Sequence, residues 1–348
     1  TTCFRSMASA NPAHALCARG SPASPRAASS NATSERVSTD LVVRLNDWFL
    51  AHSRPLPWRE PGTTPWGIFL SEVMSQQTPV ARVAPLWQEW MDRWPTPADL
   101  AAAPAGDAVR HWGRLGYPRR ALRLHAAAVA MVERHDGDVP STSEELLALP
   151  GVGEYTAAAV AAFAFGERIP VIDTNIRRVE ARAVTGVQFP RPSLSAAERA
   201  LAAELLPHED HVLWNASSME FGAVMCTAKA PACGECPVLD LCAWQQAGAP
   251  AYDGPARRGQ AWAGTDRMVR GKLLAVLRER DGADIFQALV QRGHVELREV
   301  GTEVGGRERG DRVVRVLVAG LHALRPPAVD QPLRDLRAGA VEAVERAR

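Results

Sequence analysis

Lysine is almost absent from this sequence of 348 residues, since Lys229 and Lys272 are the only two. The formal net charge is only +1, so charge alone does not indicate a nucleic-acid partner. No apolar run approaches the roughly 20 residues that a membrane-spanning helix needs. The sequence therefore predicts no membrane association, and any binding partner has to be inferred from local motifs.

Acidic residues are missing from residues 1–34, which are rich in Ala, Ser and Pro and carry scattered arginines. A secretory signal peptide needs a compact apolar segment of about 7–15 residues, and none occurs here. The composition is compatible with a transit peptide, but we expect residues 1–36 to be a disordered extension, with Met7 as an alternative first residue. Cys3 and Cys17 lie in this segment and are not expected to belong to a site.

Helical periodicity begins near residue 39, where Leu41, Leu45 and Trp48 fall on one face. Further helices are predicted at roughly 66–76, 79–93, 106–114, 119–134, 143–149, 154–165, 174–185, 195–206 and 209–224. β-patterned segments are scarce, and breaks containing Pro or Gly separate the helices. The sequence thus predicts a mostly α domain, a Gly/Pro/Arg-rich linker and a small C-terminal unit whose fold the pattern does not define, at 37–247, 248–265 and 266–348.

Four cysteines lie within 17 residues, spaced Cys226-x6-Cys233-x2-Cys236-x5-Cys242. Four thiolates this close in sequence can hold one metal centre, because sulfur ligands suit both iron and zinc. Zinc sites usually combine two short Cys pairs, whereas only one short gap occurs here. Disulfides need an oxidising compartment, which nothing in the sequence indicates. The spacing favours an iron–sulfur cluster, with zinc and disulfides as the alternatives.

A Gly-x-Gly turn, Gly151-Val152-Gly153, lies between two predicted helices. Its glycines allow a tight turn that points backbone N–H groups outward at the start of the next helix, where a phosphate can bind. On its own such a turn is more often a simple connection between helices. Its place about 20 residues before Asp173, and upstream of the cysteines, favours a DNA-binding hairpin.

Two carboxylates are candidates for catalysis. Asp173 opens the helix predicted at 174–185, and a helix cap is the plainer interpretation. A carboxylate held there is expected to stay ionised, which suits stabilising a positive, oxocarbenium-like sugar. Glu72 lies in an apolar helix, where it is either exposed on an outward face or buried with a raised pKa that would let it donate a proton near neutral pH.

The order of hairpin, acidic helix start and cysteine quartet resembles the helix-hairpin-helix superfamily of base-excision glycosylases, and most closely its MutY-type adenine DNA glycosylases. The resemblance covers roughly residues 40–247. Besides the cysteines, it is carried by the segments Leu56-Pro57-Trp58-Arg59, Ser71 through Thr78, Leu115-Gly116-Tyr117, Leu149 through Thr156, and Val171-Ile172-Asp173-Thr174-Asn175. It implies a 4Fe–4S cluster on the four cysteines.

This family removes adenine mispaired with 8-oxoguanine, and the resemblance implies roles for matching residues. Glu72 resembles the acid that protonates adenine, and Asp173 the carboxylate that stabilises or traps the sugar cation. Tyr155 and Asn175 match residues that assist around the sugar. The pocket for the flipped adenine is matched by Arg54, Leu56, Trp58 and Glu220. The wedge that enters the duplex and holds the 8-oxoguanine side is matched by Gln76, Gln77, Thr78 and Tyr117. For the aromatic residues Trp58 and Tyr117, core packing is the alternative.

The scarcity of lysine sharpens the prediction. Relatives that also cleave the strand carry a lysine two residues after the second hairpin glycine, whose amine forms a Schiff base. Tyr155 occupies that position here, so we expect a monofunctional glycosylase. The alternatives are an endonuclease III-like lyase acting on oxidised pyrimidines and a non-catalytic, cluster-bearing DNA-binding protein. The expected partner is double-stranded DNA with A opposite 8-oxoguanine or G. We further expect a monomer in the bacterial cytoplasm, associated with the nucleoid.

The sequence departs from the family pattern at a few positions. Pro118 replaces a second tyrosine, Ala216 replaces a polar residue, and Thr174 stands where glycine is frequent. No Phe-Ser-His element of a Nudix-like domain occurs in 266–348, and Arg267 to Arg280 resembles the shorter tails of actinobacterial members. These departures leave the two carboxylates intact but put the means of recognising 8-oxoguanine in doubt.

Overall fold

The computed structural model describes residues 25–254, with side chains from Ser38 onward. Most of the predicted linker and the whole C-terminal unit at 266–348 lie outside the described residues, as does Met7. Every regular element in the described range is a helix, which confirms the mostly α prediction for this part of the chain.

The α-helices of the described range follow one another with short connections. They are α1 (Pro25–His52), α2 (Pro65–Ser75), α3 (Val80–Arg93), α4 (Pro97–Ala102), α5 (Ala105–His111), α6 (Arg119–Arg134), α7 (Ser143–Leu147), α8 (Glu154–Phe165), α9 (Thr174–Ala183), α10 (Ala196–Leu205), α11 (His211–Val224) and α12 (Ala243–Gln246). Short 3-10 helices occur at Pro57–Arg59, Cys233–Glu235 and Leu239–Leu241.

Helix α1 extends further toward the N-terminus than the sequence predicted. It begins at Pro25, so residues 25–36, which we expected to be disordered, belong to it. Proline is favoured at the first position of a helix, and no further Pro or Gly occurs up to His52 to interrupt it. The predicted boundary at residue 37 therefore does not coincide with a break in secondary structure.

Helix α4 is a second difference, because the prolines in this part of the sequence predict a break between helices. Thr96 caps the helix by accepting a hydrogen bond from Asp99 N, and the Asp99 side chain accepts one from Thr96 N in return. Pro97 occupies the first helical position, where the missing N–H costs nothing. The signal for this helix was therefore present as a capping box.

Two hydrophobic cores divide the described helices. The first is built from α2 to α8 around tryptophans, with the rings of Trp90 and Trp112 packed edge to face at 5.7 Å. The Trp66 indole N–H donates to Trp94 O at 2.9 Å, so its polar edge is satisfied inside this core. The second core joins α1 to α9, α10 and α11 and includes Leu45.

Helices α9 and α11 of the second core approach each other very closely at Gly222. A Cβ atom at this position would lie 2.7 Å from Asn175 O and 2.8 Å from Asn175 Cβ, so only glycine fits. A small apolar cluster that includes Ala158 and Ile176 links α8 to α9. Helices of the two cores are thereby connected next to Tyr155, which packs against this cluster.

Among the residues that the structure describes, no helix combines the length and the apolar character needed to cross a membrane.

Candidate active site and cysteine pocket

The Tyr155 hydroxyl, at the start of α8, donates a hydrogen bond to Glu72 Oε2, in the middle of α2, at 2.7 Å. Glu72 is half-buried among apolar neighbours, and this burial raises its pKa to about 7, although the Tyr155 bond and the charge of Arg59 act in the opposite direction. Burial also raises the pKa of Tyr155 well above its ordinary value. The second of the two alternatives for Glu72, burial with a raised pKa, therefore describes this side chain.

Asp173 caps helix α9 through its side chain. Its Oδ1 accepts from Ile176 N at 2.6 Å and from Asn175 N at 2.8 Å, and its Oδ2 accepts from Asn175 Nδ2 at 2.7 Å. Burial raises the pKa of Asp173, while these hydrogen bonds and the charge of Arg178 act in the opposite direction and favour the ionised carboxylate. The charge of Asp173 also helps to raise the pKa of Glu72, so the two carboxyl groups are electrostatically coupled.

Arg178 connects the Asp173 cap to the cysteine segment. Its guanidinium donates to Asn175 Oδ1 at 2.8 Å and through Nε to Cys226 O at 2.8 Å, and it also donates to Gly222 O. The carboxyl group and the first cysteine of the quartet are therefore joined through one buried arginine and one amide.

The predicted adenine pocket is organised by an ion pair between Arg54 and Glu220. Arg54 Nε and Nη2 donate to the two carboxylate oxygens of Glu220 at 2.5 and 2.8 Å, and Arg59 Nη2 adds a third bond at 3.0 Å. Burial alone would raise the pKa of Glu220, but the two arginines outweigh it and leave the pKa below its ordinary value. Leu56 is buried, while Trp58 is partly buried with its ring 6.0 Å from that of Trp87.

Two turns carry the predicted wedge residues, and each holds a non-glycine residue at positive φ. Gln77, after α2, has φ 52°, and Tyr117, before α6, has φ 48°. Gln76 Nε2 donates to Thr156 Oγ1 at 3.0 Å, so this side chain is tied to α8. Thr78 Oγ1 donates to Leu115 O at 3.3 Å, which connects one turn to the other. Tyr117 is 52% exposed, so core packing does not explain it.

The Gly-x-Gly turn connects α7 to α8 as predicted, and Gly151 is required there on two grounds. Its φ is +79°, and a Cβ at this position would lie 2.6 Å from Arg123 Cβ. Gly153 has φ −110° and directly precedes α8, whose N-terminus has no capping side chain. A Cβ at Gly153 would meet nothing within 4 Å. The exposed N-terminus of α8 is left open to an anion.

The four cysteines line one pocket, together with residues of α9, α11 and α12. No disulfide joins any of the four, so the disulfide alternative is not realised. Burial raises the pKa of Cys236 to about 11 and that of Cys226 above its ordinary value. The described residues contain no group of three or more His, Cys, Asp or Glu side chains placed to hold a single metal ion. Thiols arranged around a cavity fit an iron–sulfur cluster, whose ligands bind different iron atoms.

Arg182 is a residue of this centre that the sequence did not single out. It is buried, its guanidinium donates to Cys226 Sγ at 3.3 Å and to Thr227 O at 2.8 Å, and it stacks on the Trp244 ring at 4.9 Å. Arg59 and Arg120 were missed in the same way. An arginine in an Arg-rich sequence carries no signal by type alone, although the spacing of Arg178 and Arg182 by four places them on one face of α9.

Comparisons with known proteins agree with this geometry. Residues 70–199 match the family model of the HhH-GPD superfamily of base excision DNA repair proteins, and residues 226–242 match that of the iron–sulfur binding domain of endonuclease III. A solved thermostable thymine-DNA glycosylase aligns with a TM-score of 0.56 and 26% identity, over 61% of this chain and 98% of the other. An endonuclease III–DNA complex aligns with a TM-score of 0.54 and 25% identity, over 62% of this chain and 97% of the other.

The fold, the hairpin and the cysteine pocket thus define a helix-hairpin-helix DNA glycosylase with an iron–sulfur domain, in which the four cysteines would hold the cluster. Among curated relatives, an adenine DNA glycosylase of Mycobacterium tuberculosis is 53% identical over 238 residues, which are 68% of this chain and 78% of the relative. A human adenine DNA glycosylase is 38% identical over 58% of this chain and 39% of the human protein's length. The chain belongs to the adenine DNA glycosylase family.

Proposed function

We propose that this protein hydrolyses the N-glycosidic bond of adenine paired with 8-oxoguanine or guanine in double-stranded DNA. The observation that carries the proposal is the hydrogen-bonded pair of Glu72 and Tyr155, in which burial raises the pKa of Glu72 to about 7. A carboxyl group with this pKa holds a proton in part of the population near neutral pH and can donate it to a leaving base. The 53% identity to an adenine DNA glycosylase supports adenine as that base.

Asp173 is assigned to the sugar side of the same reaction. Loss of the protonated base leaves an oxocarbenium-like sugar, which a nearby carboxylate stabilises or traps. Three hydrogen bonds to Asp173 fix its orientation and favour its ionised form, and Asn175 supplies two of them. Asn175 and Tyr155 are therefore proposed to orient the two carboxyl groups, and in addition to assist around the sugar.

The pocket and the wedge are assigned to the two strands of the duplex. Adenine flipped out of the helix would meet the side chains of Arg54, Leu56, Trp58 and Glu220. The carboxylate of Glu220 is 1% exposed and its two oxygens accept from Arg54 and Arg59, so its proposed role is to position these two arginines at the pocket. Gln76, Gln77, Thr78 and Tyr117 are proposed to fill the gap left by the base and to contact the opposite strand. The Gly151–Gly153 hairpin is proposed to bind a backbone phosphate at the N-terminus of α8.

Strand cleavage is not part of the proposal. The side chain two residues after Gly153 is Tyr155, whose hydroxyl is engaged with Glu72, and it cannot form a Schiff base. We propose a glycosylase domain at 37–247 that acts as a monomer, with residues 1–36, 248–265 and 266–348 outside it. Its place in the cell is proposed to be the bacterial cytoplasm, at the nucleoid.

Base release from defined duplexes tests the proposal. Purified protein would be incubated with duplexes that carry A opposite 8-oxoguanine, G or T, and the products would be treated with alkali to reveal abasic sites. We expect cleavage of the adenine strand opposite 8-oxoguanine and G, and none without alkali. A borohydride trap should give no covalent adduct. The absence of adenine release from every duplex would overturn the proposal, and efficient trapping would favour the endonuclease III-like alternative.

A further inference from the structure

The two wedge turns are distant in sequence, and their backbone conformations are costly. The first turn comprises residues 76–78 at the end of α2, and the second comprises residues 115–117 before α6. A non-glycine residue at positive φ is uncommon, and each turn contains one, Gln77 and Tyr117. Such conformations persist only when surrounding contacts enforce them.

One side chain, Arg120 at the start of α6, contacts both turns. Its Nη1 donates to Gln76 O at 2.6 Å and to Val73 O at 3.1 Å, which are carbonyls at the C-terminal end of α2. Its Nη2 donates to Thr78 Oγ1 at 3.3 Å in the first turn and to Leu115 O at 3.5 Å in the second.

The guanidinium face of Arg120 is also covered by aromatic rings. It lies 5.3 Å from the centre of the Tyr117 ring and 5.5 Å from that of Trp112. Its Nε atom is buried and has no hydrogen-bond partner among the described residues. All the acceptors of Arg120 are backbone carbonyls or a hydroxyl, and none is a carboxylate. The planar guanidinium therefore holds chain segments at a fixed distance from one another.

We propose that Arg120 is a positioning residue that sets the distance and orientation between Gln77 and Tyr117, so that both can enter the duplex together. This inference rests on the proposed function, because it assumes that the two turns face DNA. It assigns Arg120 to the step in which the duplex is opened, before the base is released. Lysine at this position keeps the charge but loses the fork and the planar face, so it cannot hold both turns.

The test measures unstacking without chemistry. A duplex would carry a stable abasic-site analogue opposite 8-oxoguanine, with 2-aminopurine as the adjacent base, whose fluorescence rises when it is unstacked. For Arg120→Lys we expect binding at least about tenfold weaker and a clearly smaller fluorescence rise at saturating protein, because a displacement of about 1 Å is enough for large effects. The salt dependence of binding should not change, because the charge is retained.

Arg134→Lys is the matched control, since Arg134 is exposed at the far end of the same helix, and it should behave as the parent protein does. A purely structural role for Arg120 would lower thermal stability but leave the saturating fluorescence unchanged, and that result would overturn the inference.

If Arg120→Lys does not fold, Thr78→Val decides instead, because it removes one acceptor in the first turn. A parent-like signal in that variant contradicts the inference. Since no base is released here, these outcomes are independent of the adenine-release assay.

Discussion

Glu72→Gln should make the protein more stable as well as inactive, and the gain should depend on pH. Glutamine keeps the size of the side chain and can still accept the hydrogen bond from Tyr155. The pKa of Glu72 is about 7 in the folded protein against an ordinary value of 4.5, so the folded state binds its proton more tightly than the unfolded state does. The protein therefore loses stability as the pH rises from the unfolded-state pKa of Glu72 through its folded-state pKa.

The size of the effect follows from the two pKa values. A difference of about 2.5 units corresponds to at most about 3 kcal/mol once the group is ionised in both states. Between about pH 5 and about pH 8 the parent protein should lose roughly 2–3 kcal/mol that Glu72→Gln does not lose. For a domain of this size, that is a difference of roughly 5–10 °C in Tm.

Scanning calorimetry of both proteins at the two pH values, at one scan rate, measures this difference. Glu133→Gln is the matched control, because Glu133 is exposed on α6 and should leave the pH dependence of the parent unchanged. Equal pH dependence of Tm in Glu72→Gln and the parent would refute the reasoning, because it would mean that burial does not raise the pKa of Glu72 in the folded protein.

Three further predictions concern other parts of the molecule. Gly151→Ala should destabilise the protein by about 1–3 kcal/mol, because φ is +79° and the new Cβ would meet Arg123. Gly153→Ala should cost clearly less, because a Cβ there meets nothing. Denaturant unfolding compares the two variants, and equal costs would be inconsistent with this geometry. Glu180→Leu should raise Tm more at alkaline than at acidic pH, because burial raises the pKa of Glu180 to about 8 and its Oε1 has no hydrogen-bond partner within residues 38–254; an unchanged or lower Tm at alkaline pH would contradict this. Cys242→Ser should lower bound iron and acid-labile sulfide per protein, and zinc in the parent protein would argue against the cluster.

The fold was largely predictable because helical periodicity and capping residues are local signals. Helix α6 was predicted at its observed bounds, Arg119–Arg134, and the ends of most other helices lie within a few residues of the predicted ones. Helix α4 is not predicted by the pattern, because its prolines indicate a break between helices, and its local signal is the capping box of Thr96 and Asp99. The start of α1 was missed because composition alone suggested disorder.

The candidate site was only partly predictable, because its contacts join distant segments. Glu72 and Tyr155 are 83 residues apart in sequence, and only the fold reveals that they are hydrogen-bonded. Arg120 is a plain arginine in sequence, and its role arises from four acceptors in the two turns and a fifth, Val73 O, in α2. The buried carboxyl of Glu180 was missed since one acidic residue in a helix is usually exposed.

The most direct test of the central claim is the single-turnover rate of adenine release by the Glu72→Gln variant at saturating protein. The substrate is a duplex with A opposite 8-oxoguanine. We predict a rate lower than that of the parent by at least about 100-fold, the lower range for loss of a general acid, with binding to the abasic-analogue duplex retained. Release at the parent rate by a variant that binds DNA normally would contradict the assignment of Glu72 as the proton donor.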